Sequence, residues 1–370
     1  MRFMNSNVSQ FLKRTYVTSC GLSSQRIRCH EPVRVALTGA RGSVGSNLAF
    51  RVAMGDMFGM NQPVILQLYS RDLKALEGLK MELEDTCGPL LAGVVVADNY
   101  EAAFGDADFA CLVGSPPRGK GMERGDLLKK SGELFAKEGK ILGEVAKETC
   151  KVVVVGNPAN TNALIAASNS RRVPMENFTA LMRLDQNRAM FQLSEAINKS
   201  GRLDHAIHPI DIHGVIIWGN HSATMCPDIS QAHVNGEKVT DILDPLIKTG
   251  WMEKTFIPTV QQRGKAIIDA RGASSAPSAA LACTDQMRDW VLGSNNQTVS
   301  MAVINSKGGR DEYGVDTSLC YSFPIISNKK GTWTKVSGLE INDFVRAGLE
   351  ANEAELKAER DAVRHLLGNQ

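Results

Sequence analysis

One stretch in the first part of the chain constrains the fold more than any other. Val33–Leu37 is an apolar run of strand length, Thr38–Gly45 carries glycines at Gly-x-x-Gly-x-x-Gly spacing, and Asn47–Met54 has the apolar spacing of a helix. A strand, a glycine loop and a helix in this order are typical of a dinucleotide-binding unit. The glycines let the backbone approach a pyrophosphate at the helix N-terminus. The residues predicted to bind the cofactor here are Gly39, Gly42, Ser43, Val44 and Gly45.

The alternation of strands and helices continues beyond this unit. Alternating elements imply right-handed crossovers and a parallel sheet. We therefore predict an α/β fold, with a doubly wound parallel sheet of the Rossmann type in residues 31–185 and a C-terminal α+β catalytic domain in residues 186–370. Further strands are predicted at Val64–Tyr69, Val94–Ala97, Phe109–Val113 and Lys151–Val155, and helices at Leu73–Thr86 and Asp126–Lys147.

The pattern changes from about residue 186. Helices are predicted at Gln186–Ser200 and Phe256–Arg271, and a charged amphipathic helix from Ile341 is expected on the surface. Gly272–Ala282 is rich in small side chains, which favour either a tight helix contact or the close approach of a ligand.

Two polar stretches follow predicted parallel strands, where ligands bind in such sheets. Gly114–Gly125 is a glycine-rich loop with Arg118, Lys120 and Arg124, and we interpret it as a cationic lid, the alternative being a solvated surface loop. Asn157 ends the next strand and is expected to face the cofactor, although asparagine is also common in ordinary turns.

A histidine at a strand end is the main candidate for acid–base chemistry. Gly214–Trp218 reads as a buried strand that leads to His221. Such a histidine can act as a general acid/base or simply pack with one backbone hydrogen bond. Asp185 and Arg188 favour the first interpretation, because an acid can orient the imidazole and an arginine can bind a carboxylate.

Composition excludes several other classes of function. Residues 1–30 hold five of the 42 lysines and arginines and none of the 40 acids, so the remainder is nearly neutral. A nearly neutral body gives no reason to expect nucleic acid or a membrane surface as a partner. The eight cysteines are scattered without metal-ligand spacing, which indicates a reducing compartment and no metal site.

Residues 1–30 are basic, rich in Ser and Thr, and free of acids. This composition is typical of an organellar transit peptide, and a disordered tail is the alternative. We expect the mature fold to begin near Glu31 and the protein to reside in an organellar matrix, the mitochondrial one first, with plastid and cytoplasm as alternatives.

Several ordered motifs resemble malate dehydrogenases, in particular the branch with cytosolic, some bacterial and chloroplast enzymes. The resemblance runs from about Val33 to about Asn369 and rests on residues 80–85, 117–124, 155–162, 183–188 and 218–222. It implies a two-domain homodimer that interconverts malate and oxaloacetate. Position by position, it implies His221 as acid/base, Asp185 as its partner, Arg188 and the loop residues Arg118 and Arg124 as ligands of the substrate carboxylates, and Asn157 beside the nicotinamide.

Three residues depart from the family pattern, namely Gln186 in place of a frequent histidine, Arg41 in the glycine loop, and Ser70 where an acid is usual.

Two other functions remain open for this sequence. They are a dehydrogenase of another 2-hydroxy acid, against which Arg118 argues, and a catalytically silent subunit.

The position after the second strand governs the choice between NAD(H) and NADP(H). An acid there binds the ribose hydroxyls and repels a 2′-phosphate. Ser70 is neutral and Arg71 follows, while Arg41 could approach the same phosphate, so we predict NADP(H). Asp72 could instead reach the ribose, which would favour NAD(H).

Overall fold

The computed structural model describes residues 30–116, 124–305 and 308–368. For residues 124–127 it describes the backbone alone. The arginine predicted at position 118 and residues 1–29 therefore lie outside the described part of the chain. Within that part, no helix is both long and apolar enough to cross a bilayer.

The described strands begin with six that form the parallel part of the main sheet. They are β1 Val33–Thr38, β2 Val64–Tyr69, β3 Leu91–Ala97, β4 Phe109–Leu112, β5 Lys151–Val154 and β6 Phe178–Ala180. Seven shorter or antiparallel strands follow, namely β7 Ile216–Trp218, β8 Cys226–Asp228, β9 His233–Val234, β10 Glu237–Lys238, β11 Val299–Ile304, β12 Cys320–Ser327 and β13 Trp333–Lys335.

The parallel strands lie in the order β3-β2-β1-β4-β5-β6, which is the doubly wound Rossmann order. The predicted fold class is therefore confirmed. Beyond β6 the same sheet continues antiparallel through β11, β12 and β13, which sequence patterns did not predict. Every residue of β11 is buried and all but Ser300 are apolar, so the segment has no period that would separate a strand from a buried helix.

Helices cover both faces of this sheet. In the first half they are α1 Ser43–Ala53, α2 Leu73–Asp85, α3 Tyr100–Phe104, α4 Arg124–Val145, α5 Ala159–Asn169 and α6 Arg183–Ser200. In the second half they are α7 Val239–Ile242, α8 Asp244–Ile247, α9 Ile257–Arg271, α10 Pro277–Leu292 and α11 Asp343–Ala362, with a π-helical turn at Met252–Phe256 and 3₁₀ turns at Met175–Asn177, Pro209–Asp211 and Arg364–Leu366.

Two expectations about helices need correction. Helix α6 begins at Arg183 rather than Gln186, which places Asp185 in its first turn, and it spans the predicted domain division at 185/186. Helix α4 begins at Arg124, inside the stretch expected to be loop. The C-terminal helix α11 is the expected amphipathic surface helix, and its buried face includes the polar residues Asn352, Glu353 and Glu359.

Candidate active site

The carboxyl ends of β1 and β4 lie where the strand order reverses, and open α/β sheets form a crevice at such a point. Gly39 has a φ of +65°, and a Cβ on it would lie 2.7 Å from the Gly114 backbone nitrogen. A Cβ on Gly156, after β5, would lie 2.8 Å from the Gly114 carbonyl oxygen. The backbones after β1, β4 and β5 thus pack directly on one another. In open α/β sheets this switch point is where ligands bind.

The N-terminus of α1 opens into this crevice. Gly42 precedes the helix without a side-chain cap, so the first-turn N–H groups, starting with Ser43 and Val44, remain available to a ligand. Gly45 packs so closely on Gly39 that a Cβ would lie 2.3 Å from the Gly39 carbonyl oxygen. Exposed donors at a helix N-terminus match the pyrophosphate of a dinucleotide. The predicted loop residues therefore fit that group.

The residues after β2 form the other predicted part of the cofactor site. The Ser70 hydroxyl accepts the N–H of Asp72 at 3.1 Å, and Asp72 caps α2 by accepting the N–H of Ala75 at 3.2 Å. The Asp72 carboxylate also lies 3.6 Å from the guanidinium of Arg41, and both side chains are substantially exposed. Arg71 is exposed beside them. At this end of the crevice Asp72 is therefore already paired with Arg41, and Arg71 is the second arginine.

The predicted acid–base residues meet at a single carboxylate. Asp185 is 0% exposed. One of its oxygens contacts Nδ1 of His221, and the other accepts Nη1 of Arg188 at 3.1 Å. The second guanidinium nitrogen, Nη2, lies 3.3 Å from the Ser275 hydroxyl. Residues far apart in sequence thus form one compact acid, imidazole and guanidinium set.

This arrangement fixes the protonation behaviour of His221. Burial lowers the pKa of His221, but the Asp185 carboxylate more than offsets burial, so the pKa lies above its usual value. Arg188 opposes this effect. Because Nδ1 faces Asp185 and the imidazole is 16% exposed, Nε2 is the ring atom left to exchange a proton with a ligand.

Gln186, one of the departures from the family pattern, joins the elements that carry the set. Its Nε2 donates to the Val215 carbonyl at 2.9 Å, and its Oε1 accepts the Ser300 N–H at 3.0 Å. The side chain thereby connects α6, which carries Asp185 and Arg188, to the segment leading into β7 and to β11. Sequence reasoning missed this role because no local pattern pairs residues so far apart.

The remaining predicted residues lie after β5, at the start of α4, and in the stretch that leads into α10. Asn157 is exposed after β5, and its carbonyl accepts the hydroxyls of Ser115 and Ser131 at 3.3 Å. Arg124 is the first residue of α4. In the Gly272–Ala282 stretch the alanines of α10 are buried where that helix packs against α1, as the helix-contact interpretation predicts, and Ser275 contacts Arg188.

Asn160 of α5 belongs to the site although it was not predicted. Its side-chain oxygen accepts the backbone N–H of His221 at 3.0 Å, and its Nδ2 donates to the Gly219 and Cys320 carbonyls. The asparagine-rich segment after β5 was the available signal, but we interpreted it as a cofactor-facing turn.

Comparisons with known proteins identify the family of this chain. Residues 33–179 match the model of the lactate/malate dehydrogenase NAD binding domain, and residues 182–367 match that of the lactate/malate dehydrogenase alpha/beta C-terminal domain. Malate dehydrogenase from Naegleria fowleri is 41% identical, with a TM-score of 0.84 over 92% of this chain and 100% of that one. Lactate dehydrogenase from Trichomonas vaginalis, solved with NADH and oxamate, is 34% identical, with a TM-score of 0.82 over 90% of this chain and 99% of that one. The chain is therefore an oxidoreductase that belongs to the lactate/malate dehydrogenase family.

Proposed function

We propose that this protein is a malate dehydrogenase, which transfers a hydride reversibly between malate and a nicotinamide dinucleotide. The observation that carries the proposal is the buried Asp185 carboxylate, which holds the imidazole of His221 and the guanidinium of Arg188 at once. A proton donor next to a carboxylate-binding cation suits a 2-keto acid, whose ketone and carboxylate are adjacent.

The chemistry assigned to His221 follows from its contacts. The nicotinamide supplies or accepts the hydride, and the ketone oxygen gains alkoxide character as it is reduced. His221 gives its Nε2 proton to that oxygen, while Asp185 holds the Nδ1 proton and stabilises the imidazolium. In the reverse direction neutral His221 takes the hydroxyl proton of malate. Arg188 holds the carboxylate next to the reacting carbon.

The choice of malate rests on a second carboxylate. Arg188 accounts for one, and we assign the other to Arg118, with Arg124 as a further cation of the same segment; this rests on the sequence resemblance and on the 41% identity to a malate dehydrogenase. The similarity to a lactate dehydrogenase keeps another 2-hydroxy acid as the alternative. A silent subunit is the less economical alternative, since it would not need His221, Asp185 and Arg188 in contact.

Steady-state kinetics with oxaloacetate and pyruvate test the substrate. We expect a higher kcat/KM for oxaloacetate. Arg118→Gln should lower that value by about 30-fold or more, since removing one partner of a charge pair costs about 2–5 kcal/mol. Pyruvate lacks the second carboxylate and should lose little. A parent enzyme that prefers pyruvate would contradict the proposal, and equal losses for both substrates would assign Arg118 to loop closure instead.

The preference for NADP(H) stays a prediction that rests on Ser70, Arg71 and Arg41. Neither the NAD binding description of the family domain nor the NADH-bound relative supports it. The Arg41–Asp72 pair weakens it, because Asp72 brings negative charge close to the arginine expected to meet a 2′-phosphate. The test is kcat/KM for NADH and NADPH in the parent and in Arg71→Ala. A parent that prefers NADH, unchanged by the substitution, would reject NADP(H) and favour NAD(H).

A further inference from the structure

The turn that carries His221 is held from behind by the C-terminal helix α11. Asn352 of this helix accepts the backbone N–H of Asn220 at 2.8 Å, and its side-chain oxygen also lies 3.0 Å from the Thr224 hydroxyl oxygen. Its Nδ2 donates to the Thr224 carbonyl at 2.7 Å. One buried side chain therefore bonds both ends of the segment from residue 220 to residue 224.

Glu355, one turn further along α11, contacts the side chains of the same segment. A single oxygen of Glu355, Oε2, accepts Nδ2 of Asn220 at 3.0 Å. It also accepts the hydroxyls of Ser222 at 2.5 Å and Thr224 at 2.6 Å. Asn220, Ser222 and Thr224 are alternate residues of the segment, and all three contact Glu355. His221 lies between Asn220 and Ser222 in the chain and contacts Asp185 instead. A carboxylate that accepts several donors forms stronger hydrogen bonds than a neutral acceptor.

The backbone before His221 is shaped to admit this helix. Gly219 has a φ of +95°, and a Cβ there would lie 2.1 Å from the side-chain carbon Cγ of Asn352. Asn160 fixes the opposite side of the turn through the Gly219 carbonyl and the His221 N–H. The turn is therefore fixed by α5 on one side and by α11 on the other.

We propose that Glu355 is a positioning residue for the reaction: its hydrogen bonds to Asn220, Ser222 and Thr224 keep the imidazole of His221 against Asp185. The proposal rests on the proposed function only for the kinetic part of its test. Without Glu355 the turn would sample orientations in which His221 leaves the carboxylate. A displacement of about 1 Å in a reacting group can lower a rate on the order of a hundredfold.

The test compares Glu355→Ala with Glu350→Ala, which changes an exposed glutamate of the same helix. We expect Glu355→Ala to lower kcat for oxaloacetate reduction at least about tenfold, while the Kd of NADH stays the same. Glu350→Ala should keep the parental kcat. Glu355→Gln keeps one acceptor oxygen and should recover most of kcat. If Glu355→Ala does not fold, Ser222→Ala provides the test, because it removes one of the three hydrogen bonds to Glu355. It should lower kcat less, in the same direction.

An NMR titration of the His221 imidazole in the protein without substrate gives a readout independent of activity. Within the described ranges, the charged groups that act on the ring are Asp185, which contacts it, and Arg188, which acts through its charge, so loosening the turn should move the pKa of His221 from its raised value back towards the ordinary one. Unchanged titration and unchanged kcat in Glu355→Ala, or a loss of thermal stability alone, would overturn the proposal. A parent enzyme inactive on oxaloacetate would instead reject the malate assignment, and the titration would still decide the role of Glu355.

Discussion

At the scale of single residues, one buried carboxylate joins the two other groups of the candidate active site. Asp185 has no exposed surface, and it contacts both His221 and Arg188. An isolated buried carboxylate is costly, and the contacts with His221 and Arg188 offset that cost. The same contact raises the pKa of His221 and keeps its proton on Nδ1.

Asp185→Asn should therefore change the pH dependence as well as the rate. In the proposed mechanism, reduction of a 2-keto acid needs protonated His221, so kcat/KM should fall as the pH rises through the pKa of His221, which lies above 6.5 in the parent. Removing the carboxylate charge should move that alkaline limb to lower pH and lower the rate by about 10²-fold or more, because the imidazole loses its fixed tautomer. The pH profile of kcat/KM in both proteins checks this, and an unmoved limb would contradict the role of Asp185.

At the scale of elements, helix α4 carries a second buried carboxyl group. Glu138 is fully buried and hydrogen-bonds with Tyr100 and Thr38. The Thr38 hydroxyl in turn accepts the backbone N–H of Gly114 at 3.3 Å. Gly114 is the first residue of the stretch Gly114–Gly125, which carries Arg118 and Arg124. Burial raises the pKa of Glu138 to about 8, and the two hydrogen bonds oppose this only in part. Glu138 is therefore protonated at neutral pH.

This carboxyl group gives the stability of the protein a testable pH dependence. The folded protein holds the Glu138 proton up to about pH 8, whereas the unfolded chain loses it near 4.5. The contribution of Glu138 is therefore fully present below pH 4.5 and is lost as the pH rises towards 8, by at most about 1.4 kcal/mol per pH unit. Glu138→Gln has the same shape without the titration. Denaturant unfolding of both proteins across this range should show Gln gaining relative stability as the pH rises, and a constant difference would contradict the assignment.

How far the elements could be predicted depended on where their contacts lie. β1, the glycine loop and α1 were predictable because strand, turn and helix signals are all local. The contact of His221 with Asp185 was also expected, because a strand-end histidine needs an orienting acid. The continuation of the sheet through β11 to β13 was not predictable, since those strands pair across long stretches of chain. The polar residues of α11 looked like a solvated face, because only the tertiary structure places Asn352 and Glu355 against the His221 turn.

At the scale of the whole molecule, we expect removal of the N-terminal segment. Residues 1–30 contain five basic residues and no acid, which is the composition of a transit peptide. Mass spectrometry of the protein from its native source should find a mature N-terminus near Glu31. An intact Met1 in the native protein would reject a cleaved transit peptide and favour a cytoplasmic location.

We also propose that two copies assemble into a homodimer, as the family resemblance implies. Light scattering coupled to size-exclusion chromatography should give twice the mass of the chain tested, 40.1 kDa at full length. A single-chain mass at micromolar concentration would contradict this.

The most direct test of the whole account is the rate of oxaloacetate reduction by His221→Asn. We expect kcat to fall by about 10²–10⁴-fold, because asparagine cannot deliver the proton that the imidazolium supplies. The Kd of the reduced cofactor, measured by fluorescence, should stay at the parent value, since the glycine loop and α1 are untouched. A His221→Asn enzyme with near-parental kcat would contradict the account.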